Sequence, residues 1–454
     1  MKAAIYTLGC RVNQYESSAM AQLLKQNGYK IVPLSQSPDV IIINSCTVTA
    51  ESDRKSRQHL RSIRQNNPDA VIVLAGCMPQ AFPEKAADLS EADIILGNSH
   101  YNKLCDAINE YMHRRSPIIM ISEHNSGEKF MTLPHCTFGE KTRAYIKIED
   151  GCDRFCTYCI IPKARGRVRS KSLVDIANEA EYLAEHGYCD ITLTGINLTA
   201  FGKENGLNIC DAVECVSKIS GIKRIRFGSL EPDDFDDTLI SRLAQNEKLC
   251  PHFHLSLQSG CDRVLRRMNR HYDTSFYRSL CEKLRNAFAD CSITTDVMVG
   301  FPGESKQDFE DSLSFVKDIG FMSAHVFAYS RRGGTPAAEM EQQVKSAEKA
   351  RRSRLMIAAT HESRDAFLSK MVGNTYEVLA ESRLDGKDAD SLAEFFIGAA
   401  HESLYSNEKS AYIYSGLTSN YADVRFLSSS DIHGRLVNVK IIGLKDGCLI
   451  GMLA

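Results

Sequence analysis

Short apolar runs alternate with helix-like segments along most of the chain, and this alternation restricts the fold more than any other feature. In the first 135 residues the runs AAIYTL, VIIIN, AVIVLAG and ADIILG are each followed by a segment with helical spacing. Strands that are apolar along their whole length are typical of parallel sheets with helices on both faces. Residues 1–135 are therefore predicted to form a parallel α/β domain.

A second alternation begins near residue 140, after a polar loop. Its six strand-like segments are YIKIED, DITLTGIN, RIRFGSLEP, HFHLSLQSG, SITTDVMVG and SAHVFAYS. Six strands that are each followed by a helix or a turn suit a partial (β/α)6 barrel, which we assign to residues 140–370. In such barrels the chemistry lies at the carboxyl ends of the strands.

Beyond Gly373 the pattern changes to short alternating stretches without long helices. These stretches are TYEVLAE, FFIGA, AYIYSGL, YADVRFL, RLVNVKIIGL and CLIGMLA. They predict a small antiparallel β-barrel, similar in size to an OB-fold, over residues 374–454. This segment has seven Lys or Arg against eleven Asp or Glu, a net charge of −4. Any RNA binding by it is therefore expected to use one basic face, or stacking by Tyr412, Tyr414, Tyr421 or Phe426.

The composition indicates a multidomain protein of the cytoplasm. At 454 residues the chain is too long for one ordinary core. No apolar run approaches the roughly 20 residues needed to span a bilayer, and MKAAIYTLGC has no apolar leader segment. A cytoplasmic location without membrane contact is expected. In that compartment sixteen cysteines indicate metal binding or chemistry rather than a disulfide framework.

Three cysteines, Cys152, Cys156 and Cys159, directly follow the first predicted barrel strand in GCDRFCTYCIIP. A structural zinc site needs a fourth protein ligand, and no His or Cys lies close by in the sequence. An iron–sulfur cluster held by three thiolates instead leaves one iron open. The C-x3-C-x2-C spacing at a strand end, with Tyr158 before the last cysteine, favours such a cluster.

Cys10, Cys46 and Cys77 are distant in sequence, but each follows the end of a predicted strand, in YTLGC, INSC and VLAGC. The carboxyl ends of parallel strands lie along one edge of a sheet, so these three thiols can meet at one point. Three unrelated buried cysteines are the other interpretation. The residues alone leave both interpretations open.

The cysteine motifs resemble those of a known family. GCDRFCTYC resembles the cluster motif of radical S-adenosylmethionine (SAM) enzymes, and TLGCRVNQYES, INSCTV and AGCMPQ resemble the cysteine motifs of methylthiotransferases. The resemblance covers nearly the whole chain, because that family has a cluster domain, a radical SAM barrel and a C-terminal TRAM β-barrel in this order. It implies two [4Fe–4S] clusters, one bound by Cys152, Cys156 and Cys159 and an auxiliary one by Cys10, Cys46 and Cys77.

The resemblance also implies an activity. Methylthiotransferases of tRNA are sulfur-group transferases that place a methylthio group on carbon 2 of a hypermodified adenosine next to the anticodon. SAM is both the methyl donor and the source of the 5′-deoxyadenosyl radical. The implied partners are tRNA, an electron donor such as flavodoxin or ferredoxin, and a sulfur source. The anticodon loop is a suitable target because its bases can be splayed out into an enzyme pocket.

SAM is expected to be bound by the cluster motif and by the ends of the barrel strands. The candidate contacts are Tyr158, Gly195, Glu231, Gln258 and Asp296. The last four lie in the segments TGIN, SLEP, LSLQSG and TTDVMVGFPGE. A capping or turn role is the alternative interpretation for Glu231 and Gln258, because polar residues at strand ends often cap the next helix.

The distribution of basic residues favours a polyanionic partner. The formal net charge is only −2, but three segments are strongly basic, namely 53–64, 163–171 and 263–271. Solvated helix faces are the alternative for each segment. Arg165, Arg167 and Arg169 directly follow the cluster motif and are expected to contact RNA phosphates.

Arg11 and Val12 in TLGCRVNQYES resemble the subfamily that modifies N6-threonylcarbamoyladenosine. The isopentenyladenosine subfamily tends to have Tyr-Gly-Cys-Gln-Met-Asn here, and the ribosomal-protein subfamily Leu-Gly-Cys-Pro-Lys-Asn. Methylthiolation of threonylcarbamoyladenosine is therefore the expected activity. The alternatives are isopentenyladenosine, a ribosomal-protein side chain, or a non-catalytic iron–sulfur protein that binds RNA. A threonylcarbamoyl group bears a carboxylate, so its pocket should contain a cation, which the sequence does not identify.

Overall fold

The computed structural model describes residues 1–125, 127–139, 141–385 and 412–454. The strands of the N-terminal part are β1 (Lys2–Thr7), β2 (Lys30–Ile31), β3 (Val40–Ser45), β4 (Val71–Gly76), β5 (Ile94–Leu96) and β6 (Ile118–Met120). Its helices are α1 (Arg11–Gln26), α2 (Ala50–Asn66), α3 (Cys77–Ala81), α4 (Pro83–Ala87) and α5 (Leu104–Arg114). The strands form one parallel sheet in the order β2-β1-β3-β4-β5-β6.

Helices cover both faces of this sheet, and β3 and β4 are consequently buried at every position. Ile42 and Val73 pack with residues of α1 and α5 in one apolar core. Ile41 and Ile43 point to the opposite face and pack with Leu60 of α2 in a second core. The predicted parallel α/β architecture is confirmed, because strands with two covered faces need apolar residues at every position.

The central part contains the six predicted barrel strands, all pairing in parallel. The third strand is broken at Gly228 into β11 (Arg224–Phe227) and β12 (Ser229–Leu230), so that the barrel consists of a three-stranded and a four-stranded sheet. A bridge between Ile225 and Leu249 connects these two sheets. The strands are β7 (Arg143–Lys147), β10 (Asp190–Thr194), β11 (Arg224–Phe227), β12 (Ser229–Leu230), β13 (His252–Leu255), β14 (Ser292–Val299) and β15 (Ser323–Ala328).

Helices connect the barrel strands, and a short antiparallel hairpin follows the first strand. The hairpin strands are β8 (Glu149–Asp150) and β9 (Arg169–Ser170). The helices are α6 (Ile161–Arg165), α7 (Leu173–Glu185), α8 (Ile209–Ser217), α9 (Asp237–Ala244), α10 (Asp262–Arg267), α11 (Thr274–Ala287), α12 (Lys306–Ile319), α13 (Pro336–Glu339) and α14 (Ser346–Ser369). The hairpin and α6 enclose the loop that carries the C-x3-C-x2-C motif.

The C-terminal part is a closed five-stranded barrel in the order β16-β17-β18-β20-β19. Its strands are β16 (Thr375–Leu384), β17 (Tyr412–Thr418), β18 (Asp423–Ser428), β19 (Leu436–Lys445) and β20 (Cys448–Leu453). Four pairs are antiparallel, as expected, whereas β18 and β20 pair in parallel and close the barrel. The strand predicted at FFIGA, 395–399, lies outside the described residues.

Two buried arginines of β11 attach the C-terminal barrel to the central one. Arg226 pairs with Asp190 at 3.0 Å and donates to the carbonyl oxygens of Thr418 and Ser419 at 2.9 and 2.8 Å. Arg224 donates to the Leu417 carbonyl at 3.1 Å. Because charge-assisted hydrogen bonds are the stronger ones, these contacts hold the turn after β17 against the barrel.

We expect Arg226→Leu to destabilise the protein strongly, because it leaves the buried carboxylate of Asp190 without its partner. Breaking a buried ion pair typically costs about 3–5 kcal/mol. The apparent thermal midpoint should therefore fall by about 10 °C. The control is Arg61→Gln, which removes an exposed pair with Glu91 and should change the midpoint by about 1 °C or less. Equal midpoints for both variants would contradict this account of the interface.

Candidate functional site

Cys10, Cys46 and Cys77 lie side by side at the carboxyl edge of the N-terminal sheet. Cys10 is the N-cap residue of α1, Cys46 directly follows β3, and Cys77 is the first residue of α3 after β4. The pKa of the Cys77 thiol is raised to about 12, chiefly by burial, with Arg165 acting to lower it and the neighbouring Cys46 and Cys10 thiols acting to raise it. The sheet therefore brings together the three cysteines that the sequence predicts to meet.

Two glycines allow these loops to approach each other. Gly9 has a φ of 113°, and a Cβ atom there would lie 2.9 Å from the Cβ of Cys46. Gly76 has a φ of 98°, and a Cβ atom there would lie 2.3 Å from the carbonyl oxygen of Ser45. Positive φ angles and such close contacts both select glycine. The positions directly before Cys10 and Cys77 therefore require glycine.

Cys152, Cys156 and Cys159 form a second group in the loop between β8 and α6. The loop is held by backbone hydrogen bonds from Cys152 to Gly166, from Thr157 to Met268 and from Cys159 to Cys156, at 2.9–3.0 Å. Burial raises the pKa of Cys159 to about 12, with a further contribution from the neighbouring Cys156. These thiols are therefore close together and mostly shielded from water.

Arg270 lies directly beside this second group. Its guanidinium donates to the Sγ atom of Cys156 at 3.3 Å and forms a buried ion pair with Glu231. A cation at a cysteine sulfur stabilises the thiolate form that binds a metal. Because Arg270 places a positive charge at the sulfur of Cys156, the surroundings of this group suit an anionic iron–sulfur cluster.

In the described part of the chain, no three His, Cys, Asp or Glu side chains are arranged to hold a single metal ion. The thiols of a [4Fe–4S] cluster bind different iron atoms, so they stand farther apart than the ligands of one ion. Three neighbouring thiols in each group are the donor set of a cluster with one open iron. The roles of the six cysteines as ligands stay predictions.

A small apolar contact joins the helix that begins at Cys77 to the loop that carries the second cysteine group. Cys77 and Ala81 of α3 pack against Ile160, at the end of that loop, and against Ala164 of α6. Ile160 directly follows Cys159 in the chain. The thiols of both groups therefore lie close to one interface, between the N-terminal sheet and the first loop of the barrel.

A buried network of charges lies beneath this interface. Arg165 of α6 pairs with Glu16 of α1 and with Asp150 of β8, and Lys147 pairs with both carboxylates at 2.8 and 2.7 Å. Burial acts to raise the pKa of Glu16, but Arg165 and Lys147 outweigh it and lower that pKa. Arg165 also donates to the Asn13 side chain at 3.3 Å, and the Cys10 thiol donates to the same oxygen at 3.3 Å.

The prediction that Arg165 and Arg169 contact RNA phosphates is wrong. The Arg165 side chain is inaccessible to solvent and is occupied by the buried network. Arg169 is also buried, where it pairs with Asp150 and donates to backbone carbonyl oxygens. Arg167 points outwards with 61% of its side chain exposed and pairs with Asp153. The three residues look alike in the sequence but lie in different local structures, because Arg165 ends α6, Arg167 lies in the following loop and Arg169 begins β9.

The five predicted SAM contacts fall at different places. Glu231 lies beside Arg270 and the second cysteine group, and the half-buried Tyr158 packs against the cluster of apolar residues around Phe301. Gln258 has a φ of 66° and pairs its backbone with Asp296 and Met298 at 2.8 Å.

The remaining two candidates, Gly195 and Asp296, line a cavity inside the barrel. The structure therefore brings Tyr158 and Glu231 to the second cysteine group and leaves Gly195 and Asp296 at the wall of this cavity. SAM binding by any of the five stays a prediction.

This cavity has a volume of about 730 Å³ and is bounded by all three parts of the chain. The N-terminal part contributes Cys10 and Arg11, and the C-terminal barrel contributes Tyr421. The barrel interior contributes mostly polar side chains, among them Thr194, His252, His254, Thr294, Asp296 and His325. One cysteine of the first group thus opens onto a cavity large enough for a small molecule or a nucleoside.

The deepest part of the cavity is strongly polar. His252 stacks on Tyr421 with 4.4 Å between ring centroids, and its Nε2 atom lies 2.9 Å from the hydroxyl of Thr294. Burial, and after it the fields of Arg226, His254, Arg11 and others, lower the pKa of His252 well below its usual value. The imidazole is therefore neutral at physiological pH.

Sequence reasoning missed several of these residues. Arg270 lies in a segment interpreted only as basic, and its partner Glu231 is 39 residues away. Tyr421 was expected to be available for stacking on RNA bases, whereas it stacks on His252 inside the protein. Tyr414 and Phe426 are buried in the C-terminal barrel, which excludes the stacking expected of them. No local signal distinguishes such contacts, because each joins segments far apart in the chain.

Comparisons with known proteins agree with this architecture. The Radical SAM superfamily model matches residues 146–316, and the model of Uncharacterized protein family UPF0004 matches residues 2–97. The solved structure of the radical S-adenosylmethionine methyltransferase TsrM from Kitasatospora setae has a TM-score of 0.56 at 14% identity. That similarity covers 74% of this chain and 77% of TsrM, and it concerns the fold alone. Fold and cysteine motif together define a radical SAM enzyme.

Relatives in sequence identify the family. The threonylcarbamoyladenosine tRNA methylthiotransferase MtaB of Bacillus subtilis is 35% identical over 97% of this chain and 93% of its own length. A tRNA-2-methylthio-N(6)-dimethylallyladenosine synthase of Natranaerobius thermophilus is 34% identical over 96% of this chain and 93% of its own length. The chain belongs to the MtaB-type radical SAM methylthiotransferase family. The expected cofactors, two [4Fe–4S] clusters and SAM, are those of the family.

We expect His252 to make stability depend on pH. Its folded pKa lies below the unfolded value of about 6.5, so its contribution to stability is complete above that value and decreases as the pH falls. Each pH unit below about 6.5 costs about 1.4 kcal/mol until the folded pKa is reached. His252→Gln should therefore lose less stability between pH 7 and pH 5 than the wild type, measured as the fall in thermal midpoint.

The matched control for this measurement is His433→Gln, because His433 is exposed in the C-terminal barrel. This variant should show the same fall in midpoint as the wild type. If His252→Gln also falls by the wild-type amount, the imidazole does not titrate in the way that its surroundings require.

Proposed function

We propose that this protein is a tRNA methylthiotransferase that adds a methylthio group to carbon 2 of N6-threonylcarbamoyladenosine next to the anticodon. The observation that carries the proposal is that two groups of three neighbouring thiols adjoin one interface, through the contact of Cys77 with Ile160, while Cys10 opens onto the cavity. Relatives named as threonylcarbamoyladenosine methylthiotransferases support this adenosine. Relatives named as dimethylallyladenosine synthases, at nearly the same identity, make isopentenyladenosine the alternative.

The proposal gives the two groups of cysteines different roles. Cys152, Cys156 and Cys159 would hold the cluster at which SAM binds, and Cys10, Cys46 and Cys77 would hold the auxiliary cluster. When bound, these groups supply the radical chemistry and the sulfur and methyl groups that are transferred. The chain would position these groups through two contacts, the apolar contact between α3 and α6 and the buried ion network beneath it. These contacts fix α1 and the loop between β8 and α6 relative to each other.

The cavity is the proposed site of the adenosine. Its volume of about 730 Å³ lies in the range of small-molecule sites. Enzymes that act on a base take it out of the stack and read it in a pocket, which requires such a space. Cys10 at the wall places the auxiliary site next to the base, while Gly195 leaves space where a Cβ atom would lie 2.6 Å from the carboxylate of Glu149.

The partners follow from the proposed reaction. The anticodon loop would reach the cavity from outside, and Arg167 is exposed near the cluster loop to contact its phosphates. A reductant such as flavodoxin or ferredoxin and a sulfur source are needed, and we propose that the protein works in the cytoplasm with them. Among the described residues, none of the helices has the length and apolar character required to cross a bilayer.

The proposal predicts a specific product. Purified, cluster-loaded protein is incubated anaerobically with SAM, a reductant and tRNA from cells lacking the activity, and the nucleosides are analysed by mass spectrometry. We expect the mass of a methylthio group to be added to threonylcarbamoyladenosine. A gain on isopentenyladenosine alone would support the alternative substrate. No gain on either nucleoside would contradict methylthiolation of tRNA.

Cysteine variants separate the two roles in the same assay. Cys152→Ala should abolish both 5′-deoxyadenosine formation and methylthiolation, whereas Cys10→Ala should abolish methylthiolation and retain 5′-deoxyadenosine formation. Cys215→Ala is the control, because Cys215 lies in α8, outside both groups, and it should retain both activities. Methylthiolation by Cys10→Ala would show that the auxiliary ligands are assigned wrongly.

A further inference from the structure

Three guanidinium groups surround the ring of Tyr421 at one end of the cavity. Those of Arg11, Arg143 and Arg226 lie 5.9, 5.6 and 5.6 Å from the ring centroid. The three residues come from α1, β7 and β11, so the arrangement is made by the packing of separate segments. Three like charges around one ring repel each other unless anions compensate them.

Carboxylates compensate two of these three charges. Arg226 pairs with Asp190, and Arg143 pairs with Glu381. Within the ranges that the structure describes, Arg11 has no Asp or Glu at ion-pair distance, and its hydrogen-bond partner is the hydroxyl of Tyr421 at 2.7 Å. One positive charge therefore remains without an anion, in a half-buried position at the cavity wall.

The surroundings respond to this excess of positive charge. Burial acts to raise the pKa of Tyr421, but Arg11, Arg143 and Arg226 outweigh burial and lower it. The same arginines contribute to keeping His252 neutral. The cavity wall around Tyr421 thus disfavours a further cation, and Arg11 has no anionic partner there. Both properties suit a ligand that carries a negative charge.

We infer that Arg11 binds the carboxylate of the substrate's threonylcarbamoyl group and thereby selects this adenosine. The inference rests on the proposed function and deepens it. A guanidinium has five N–H donors, and one of them donates to Tyr421, so N–H groups remain along its edge to bind a carboxylate. Arg11 follows Cys10 directly, so the selecting cation and the auxiliary cysteine line the same cavity.

This arrangement also disfavours the competing substrate. An isopentenyl group is uncharged and cannot hydrogen-bond, so its binding would remove water from Arg11 without supplying an anion. A charged donor that is buried without a hydrogen-bond partner costs free energy. Arg11 should therefore discriminate strongly against a substrate that lacks the carboxylate. Of the other cations in the cavity, His254 lies 3.4 Å from Asp296, whereas Arg364 has, among the described residues, only a 3.6 Å ion pair with its neighbour Asp365. Arg364 is therefore the rival cation, and the test includes it.

The test uses two anticodon stem-loops that differ in one group. One carries threonylcarbamoyladenosine, and the other carries the same nucleoside with its carboxylate converted to a primary amide. Dissociation constants and kcat/KM are measured for both with cluster-loaded protein. We expect the wild type to prefer the acid by about 10- to 100-fold, the range for hydrogen bonds to charged groups. Arg11→Gln should reduce that preference to about twofold, mainly by weakening binding of the acid.

Two further variants make the result specific. Arg364→Gln removes a second guanidinium from the same cavity and should retain the wild-type preference for the acid. Arg11→Lys keeps the charge without the planar fork and should retain part of the preference. The preference is the ratio of kcat/KM, or of Kd, for the acid and the amide within one variant. A general loss of folding or of cluster affects both substrates equally and leaves this ratio unchanged.

Each other outcome has a definite meaning. An unchanged ratio in Arg11→Gln, or a ratio lost in Arg364→Gln instead, would overturn the role of Arg11 while methylthiolation of threonylcarbamoyladenosine by the wild type still stands. A wild type that does not distinguish acid from amide would also overturn it. A wild type that modifies only isopentenyladenosine would overturn the proposed function and, with it, this inference.

Discussion

The buried ion network around Arg165 is the constraint on which the rest of the site depends. It joins α1, β8 and α6 through Glu16, Asp150 and Arg165. Ionised groups removed from water are stable only when their partners are held at hydrogen-bonding distance, so the three elements cannot shift independently. Cys10 directly precedes α1, and the loop of the second cysteine group lies between β8 and α6. The separation of Cys10 from that loop is therefore set by electrostatics as well as by the small apolar contact between α3 and α6.

The first residues of α1 contribute to three different sites, because successive residues of a helix point in different directions. Cys10, Asn13 and Glu16 are spaced three residues apart and lie on one side of the helix, towards Arg165. Arg11 lies on another side and reaches Tyr421 in the cavity. The first two turns of α1, with its N-cap residue, thus carry a cysteine of the proposed auxiliary site, an anchor of the buried network and the proposed specificity residue. A small rotation of α1, which packs against both β7 and the N-terminal sheet, would therefore disturb all three.

Much of the architecture could be predicted, because the alternation of strands and helices and the positions of cysteines at strand ends are local patterns. The parallel sheet, the six barrel strands and the C-terminal barrel follow from such patterns. The environment of single charged residues does not. Arg165 and Arg167 are two positions apart and look equivalent, yet one is fully buried and the other is exposed. Arg165 pairs with Glu16 and Arg167 with Asp153, and these partners come from different parts of the chain. The cavity likewise combines residues of all three parts.

The most direct test of the account is the number of clusters that each group of cysteines can hold. Native mass spectrometry under anaerobic conditions would compare the wild type with two triple alanine variants, one at Cys10, Cys46 and Cys77, the other at Cys152, Cys156 and Cys159. The account predicts the mass of two [4Fe–4S] clusters in the wild type and of one cluster in each variant. A wild type with one cluster, or a variant that retains two, would contradict the assignment of one cluster to each group of three cysteines.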